Sequence, residues 1–256
     1  MKKIIFLIGI SALLGSCQDE VVERYKVSSP VYMSYNDLRK AVTIAPDTKT
    51  ELRKPGKIYY WNNYLLINEN NKGIHVIDNS DPSKPKFKTF ISIPGNVDMS
   101  VKDGILYADS YIDLVALDIN DINNIKEVNR LDSVFPYTLP EMDNRLVLEQ
   151  INQQKGVVVG YTEKYVEKDL YKPEGNYYPT YRGMVFEDAM YMNFAKSSTS
   201  GSTTSATNSG IGIGGSMARF AIDSVSLYAI NQSSQILIFD ITQVKNPIKK
   251  EVISRI

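Results

Sequence analysis

Alternating apolar residues that end in an aspartate recur along the chain. Ile74-His75-Val76-Ile77-Asp78, Leu114-Val115-Ala116-Leu117-Asp118 and Ile236-Leu237-Ile238-Phe239-Asp240 share the pattern, and the first two lie 40 residues apart. Such short apolar runs, bounded by turn signals, predict strands. A short apolar or aromatic run precedes each of them, at 64–67, 105–108 and 227–230, and another precedes that, at 58–61, 99–101 and 220–222. The turns between these two runs are Asn62-Asn63, Asp103-Gly104 and Ser224-Val225. Asp-Gly is a strong hairpin signal because both turn positions take positive φ. Seven residues beyond each aspartate stand Pro85, Ile125 and Pro247, and strand-like runs follow at 86–93, 126–131 and 248–253. Each unit therefore reads as four short strands. The repeats show no 3.6-residue period, which excludes a helical or leucine-rich solenoid.

A four-stranded sheet of this size cannot bury both faces alone. Stacking such sheets around an axis buries them against their neighbours and protects their edges. The pattern predicts an all-β chain, a β-propeller with about four blades at 55–95, 96–136, 137–215 and 216–256. The third unit is irregular. Residues 144–150 match a second strand and 156–160 a third, and Lys155-Gly156 echoes Lys72-Gly73, but Gly160-Tyr161 replaces the closing aspartate. The stretch 161–215 reads as an insertion, rich in tyrosine and then in Ser, Thr and Gly. Propellers usually have four to eight blades, so four units make either a small closed ring or an incomplete ring in a truncated chain; the expectation is the truncated chain, an open set of blades with an exposed blade face and an unpaired edge. The alternatives are closure by a strand from 28–34 on the last blade, or by a second copy.

The strands IHVID, LVALD and ILIFD resemble the LVIVD repeat. The block PGNVDMSVKDGILYADSYIDLVALD (94–118), the block GGSMARFAI (214–222) and the leader VYMSYNDLRK (31–40) resemble LVIVD-repeat lipoproteins of Gram-negative bacteria. That resemblance implies a β-propeller exported as a lipoprotein, and it supplies no catalytic residues.

The N-terminus reads as an address. Lys2 and Lys3 precede an apolar run over 4–14, too short to span a bilayer of about 30 Å as a helix. Leu14-Gly15-Ser16-Cys17 resembles a lipobox, which implies a signal peptide at 1–16, acylation of Cys17, and a tether and leader at 17–54. Cys17 is the single cysteine of the chain. The lipid bilayer is then a partner, and the expected location is the cell envelope: an outer membrane lipoprotein, periplasmic or surface-exposed. Asp19 and Glu20 resemble the acidic export tag of some surface lipoproteins.

Composition narrows the chemistry. Lys+Arg and Asp+Glu both number 29, so no charge excess points to nucleic acid. One His leaves no multi-histidine metal site, and one Cys leaves neither an intrachain disulfide nor a CxxC pair. Asp78, Asp118 and Asp240 lack the spacing of a calcium loop and read as Asx-turns. Lone His75 reads as packed or exposed in its strand. Neither a cofactor nor a catalytic residue is expected. The candidate ligand-binding residues are Lys57, Asp98, Thr138 and Arg219, each five residues before a first-hairpin turn and so expected near the channel mouth. Loops 69–72, 111–113 and 232–234 join the same face. Tyr171, Tyr177, Tyr178 and Tyr181 of the insertion suit a glycan or protein ligand. The leading expectation is a non-catalytic binding or scaffold module. The alternatives are a carbohydrate-active enzyme using acids such as Asp98, and a truncated paralogue without function.

Overall fold

The computed structural model describes residues 22–47, 52–140, 146–169, 219–230 and 235–254. Cys17 and the 1–16 segment, the four tyrosines of the insertion and the loop 232–234 lie outside the described residues. The described chain is all-β, with several antiparallel sheets and one four-residue α-helix. It divides into two compact units, the larger holding 31–140, 152–160, 219–230 and 235–254, the smaller 22–30, 146–151 and 161–169.

In the larger unit, three meanders carry the repeat. The first is β3 (Pro55–Trp61), β4 (Tyr64–Glu69), β5 (Gly73–Asp78) and β6 (Lys86–Ser92). A fifth strand, β2 (Thr43–Pro46), pairs antiparallel with β6. The second meander is β7 (Met99–Lys102), β8 (Ile105–Ser110), β9 (Asp113–Asp118) and β10 (Lys126–Leu131). The third is β13 (Phe220–Asp223), β14 (Ser226–Ile230), β15 (Ile236–Asp240) and β16 (Ile248–Ile253). The first turns use positive φ, at Asn62, Asn63, Asp103, Gly104 and Ser224. The aspartates at the ends of β5, β9 and β15 form Asx-turns, accepting the amides of Ser80 at 3.0 Å, Asn120 at 3.2 Å and Thr242 at 2.9 Å. Each outer hairpin also carries a register shift at one place, leaving Lys88, Val128 and Lys250 without a partner across the ladder. A bulge of this kind increases local twist.

The register aligns the sheets residue for residue and gives each a front and a back. The front of the first sheet (Leu66, Ile74, Val76) packs on the back of the second (Leu106, Val115, Leu117). The front of the second (Tyr107, Leu114, Ala116) packs on the back of the third (Leu227, Leu237, Phe239). The stack is head to tail, and the middle sheet is buried on both faces. The innermost strands lie side by side, with β7 between β3 and β13.

The 137–215 unit departs from expectation. It does not supply a fourth four-stranded meander among the described residues, and the second and third sheets pack directly on each other. Its strands β11 (Val147–Leu148) and β12 (Val157–Asp169) do not pair with each other. The leader strand β1 (Val22–Met33) lies between them, pairing parallel with β11 at Val27↔Val147 and Ser28↔Leu148. Thus 28–34 does not pair with the last sheet, residues 22–25 are strand rather than free tether, and β12 runs through position 161 to Asp169. The physical reason is the missing second hairpin: without an aspartate-terminated third strand, β11 and β12 lack each other's ladder and take β1. In the smaller unit Lys26 pairs with Glu163 and Lys164 with Glu149, each at 3.0 Å, while Arg24 lies over the Tyr165 ring at 4.3 Å.

In the larger unit, α1 (Tyr35–Leu38) is capped by Ser34, whose Oγ accepts the Asp37 amide at 3.1 Å. Its Leu38 packs in a small core with Ile112 and Val157.

Candidate functional site

Lys57, Asp98 and Arg219 each stand one residue before the equivalent positions Ile58, Met99 and Phe220, Lys57 within β3 and the other two just ahead of β7 and β13. Because those strands are neighbours, the three residues meet. Asp98 is fully buried. Its Oδ1 pairs with Lys57 Nζ at 3.0 Å and accepts the Met99 amide at 2.6 Å. Its Oδ2 accepts the Phe220 amide at 2.8 Å and also the Arg219 amide. Lys57 Nζ further donates to the Phe220 carbonyl at 3.3 Å. One carboxylate thus ties three sheets together.

A second buried acid stands beside it. Asp109 Oδ1 accepts the amides of Val97 at 2.8 Å and Asp98 at 3.0 Å, and Asn96 Nδ2 at 2.9 Å. Its Oδ2 faces Arg219 at 3.5 Å. Burial pushes the Asp109 carboxyl above the usual carboxylate range, against the pull of Arg219 and of the amides. The cluster balances two cations with two carboxylates, and each carboxylate is bonded within the fold.

Asn96 is the hub that sequence reasoning missed. It is fully buried. It donates to the Asp98 carbonyl at 2.8 Å, accepts Asn68 Nδ2 on its side chain at 2.6 Å, and accepts the Asn71 amide on its carbonyl at 2.7 Å. The loop 69–72 therefore joins the cluster, as expected. The signal was Pro94-Gly95-Asn96, a turn that must deliver the chain from one sheet to the next. Thr138 does not join: it is half-buried in an irregular segment, and no described hydrogen bond or ion pair involves it. The half-unit it was aligned on forms no meander, so no inner strand positions it. Cys17 lies outside the described residues.

Two further charged clusters were not foreseen. His75 is buried between Asp47, 2.5 Å from Nδ1, and Glu69, 3.7 Å from Nε2, with Phe87 and Phe90 against the ring. Glu69 also accepts the amides of Arg53 at 3.2 Å and Lys54 at 3.0 Å, so this cluster fastens the segment around β2 to the first sheet. Buried Asp113 holds Arg130 at 3.2 Å, the Ser133 amide at 2.8 Å and Arg39 at 3.5 Å. Among the described residues no group of three or more His, Cys, Asp and Glu is arranged to hold a metal, and no helix is long and apolar enough to cross a membrane.

Comparison of the chain with protein-family models, with curated proteins and with solved structures finds no match.

Proposed function

We propose that this chain is a β-propeller-type module of the LVIVD-repeat kind, held on the cell envelope through acylated Cys17, that acts as a non-catalytic binding or scaffold protein. The observation that carries the reading is the side-by-side placement of β3, β7 and β13 in a head-to-tail stack, the arrangement a propeller uses around its axis. The charged residues at the strand starts are consumed in tying sheets together, which suits a scaffold whose ligand is met by loops or by the 161–215 stretch. A glycan or a protein surface fits the tyrosines there. The address is read from the 1–17 sequence, whose lipobox-like end fits an outer membrane lipoprotein with its body periplasmic or surface-exposed. Palmitate labelling in cells tests the anchor: the wild type incorporates label, and Cys17→Ala does not. Equal labelling of both ends the lipoprotein reading.

A further inference from the structure

One strand of the first sheet stands outside the repeat. β2 adds to the outer edge of β6, and among the described residues neither the second nor the third sheet carries a fifth strand. The first sheet also differs inside. His75 of β5, the single histidine of the chain, stands where the other two sheets carry Val115 and Leu237. The two departures are joined. Asp47, the residue after β2, reaches past the neighbouring β6 to His75 Nδ1.

The site is closed and acidic. The side chains of Asp47, His75 and Glu69 are all nearly fully buried. Asp47 meets one ring nitrogen, Glu69 faces the other at 3.7 Å, and β6 presents the Phe87 and Phe90 rings. The ionisable groups described around the imidazole are these two carboxylates, with half-exposed Lys72 3.9 Å from the second Glu69 oxygen. Glu69 is bonded as an anion, since its two oxygens accept the amides of Arg53 and Lys54. An imidazole can aim an N–H at both carboxylates only when both its nitrogens are protonated. The imidazolium gives two cations against two carboxylates, the balance also found around Asp98. A neutral ring would aim a lone pair at a buried carboxylate and leave Lys72 alone against both anions.

We propose that His75 is a pH-dependent latch: as imidazolium it holds β2 on the first sheet through Asp47, and loss of its proton frees β2 and bares the outer edge of β6 at 89–92. The closed latch keeps a proton that the opened one, with the ring in water, gives up. The strand is therefore held at low pH, and opening eases by up to about tenfold per pH unit while that difference lasts. A bared edge of this kind can receive another extended segment. The latch requires neither the lipid anchor nor a ligand.

Hydrogen exchange of the purified full chain between about pH 5 and about pH 8, the range in which imidazoles change charge, tests it once rates are corrected for intrinsic chemistry at each pH. The amides paired between β2 and β6 should lose protection about tenfold or more across that range, while those of β8 and β9 keep theirs. With one histidine in the chain, the imidazole nitrogen resonances belong to His75 alone. They should show both nitrogens protonated while β2 is protected, and one deprotonated over the same interval as the release. His75→Gln, neutral at every pH, should remove the pH dependence of the β2 amides. Wild-type spectra decide the matter even if that variant does not fold. A ring that is neutral throughout, or doubly protonated throughout, overturns the proposal. So do β2 protection that is flat with pH in the wild type, a pH dependence that persists in His75→Gln, and a loss of protection shared equally by β8 and β9.

Discussion

The Asp98 carboxylate, just ahead of β7, accepts the backbone amide of Phe220, 122 residues away in sequence, at 2.8 Å. That bond joins the second sheet to the third across the whole 137–215 unit. Asp98 simultaneously pairs with Lys57 of the first sheet, so its loss would free a mostly buried cation and three backbone amides. Removing one partner of a buried pair costs about 3–5 kcal/mol. Asp98→Ala is expected to lose stability of that order in urea denaturation, and Lys57→Met less, since Lys57 keeps some solvent contact. Equal, small losses would contradict the role of Asp98 as the tie.

Asp109 separates charge from hydrogen bonding. Three donors converge on Oδ1, which an asparagine also supplies, while Arg219 reaches Oδ2, and the equivalent residue in the first sheet is Asn68. Asp109→Asn should stay within about 1 kcal/mol of wild type, whereas Asp109→Ala, which strands buried donors at about 1–3 kcal/mol each, should fall well below it. The pH dependence has a definite sign. A carboxyl raised in the folded state binds its proton there more tightly than when unfolded, so wild-type stability declines as pH rises from the ordinary aspartate range through the folded value. Asp109→Asn lacks that decline. Parallel stability curves for the two proteins between about pH 4 and pH 8 would refute it.

Asp118 behaves oppositely. Lys245, bonded to it at 2.7 Å from the third repeat, and Asn120 hold its carboxyl down to about 2. A lowered folded value stabilises above the unfolded value of 3.8, and that contribution is lost as pH falls toward about 2. Lys245 is largely exposed, so solvent screening limits the contribution to about 1 kcal/mol or less. Asp118→Asn should melt below wild type at neutral pH and low salt, and the gap should close both near pH 2 and on adding salt. A gap that persists in acid would show that the pair is not its source.

The turn into β5 depends on Gly73. It has φ +140°, and a Cβ there would lie 2.0 Å from the carbonyl oxygen of Ile91. The clash is with backbone, which cannot step aside like a flexible side chain. Gly73→Ala should cost more than the ~1 kcal/mol of an ordinary glycine replacement, measured by thermal melting, and a melting point unchanged within a degree would refute the contact.

The three complete repeats were legible because each carries its own punctuation. Asn62-Asn63, Asp103-Gly104 and Ser224-Val225 set the hairpins, and the closing aspartates set the Asx-turns. Three of the four candidate residues also meet, because counting back from a turn holds wherever the turn belongs to a real meander. Thr138 failed on that same condition. The insertion of β1 between β11 and β12 was not legible, since a parallel pairing of residues 120 apart, Val27 with Val147, leaves no local signature. Asp47 beside His75 was hidden likewise: the partner lies on a segment outside the repeat and reaches the strand only through tertiary folding. The bulges at Lys88, Val128 and Lys250 were invisible because a bulge adds one residue without changing composition.

The middle sheet, walled in on both sides by its siblings, acts as the keystone of the molecule. Its strands β8 and β9 can expose their amides to solvent only when the neighbouring layers come apart, so deuterium should enter them last. Once that layer loosens, the flanking sheets are left leaning on nothing, and the arch should fail as one piece.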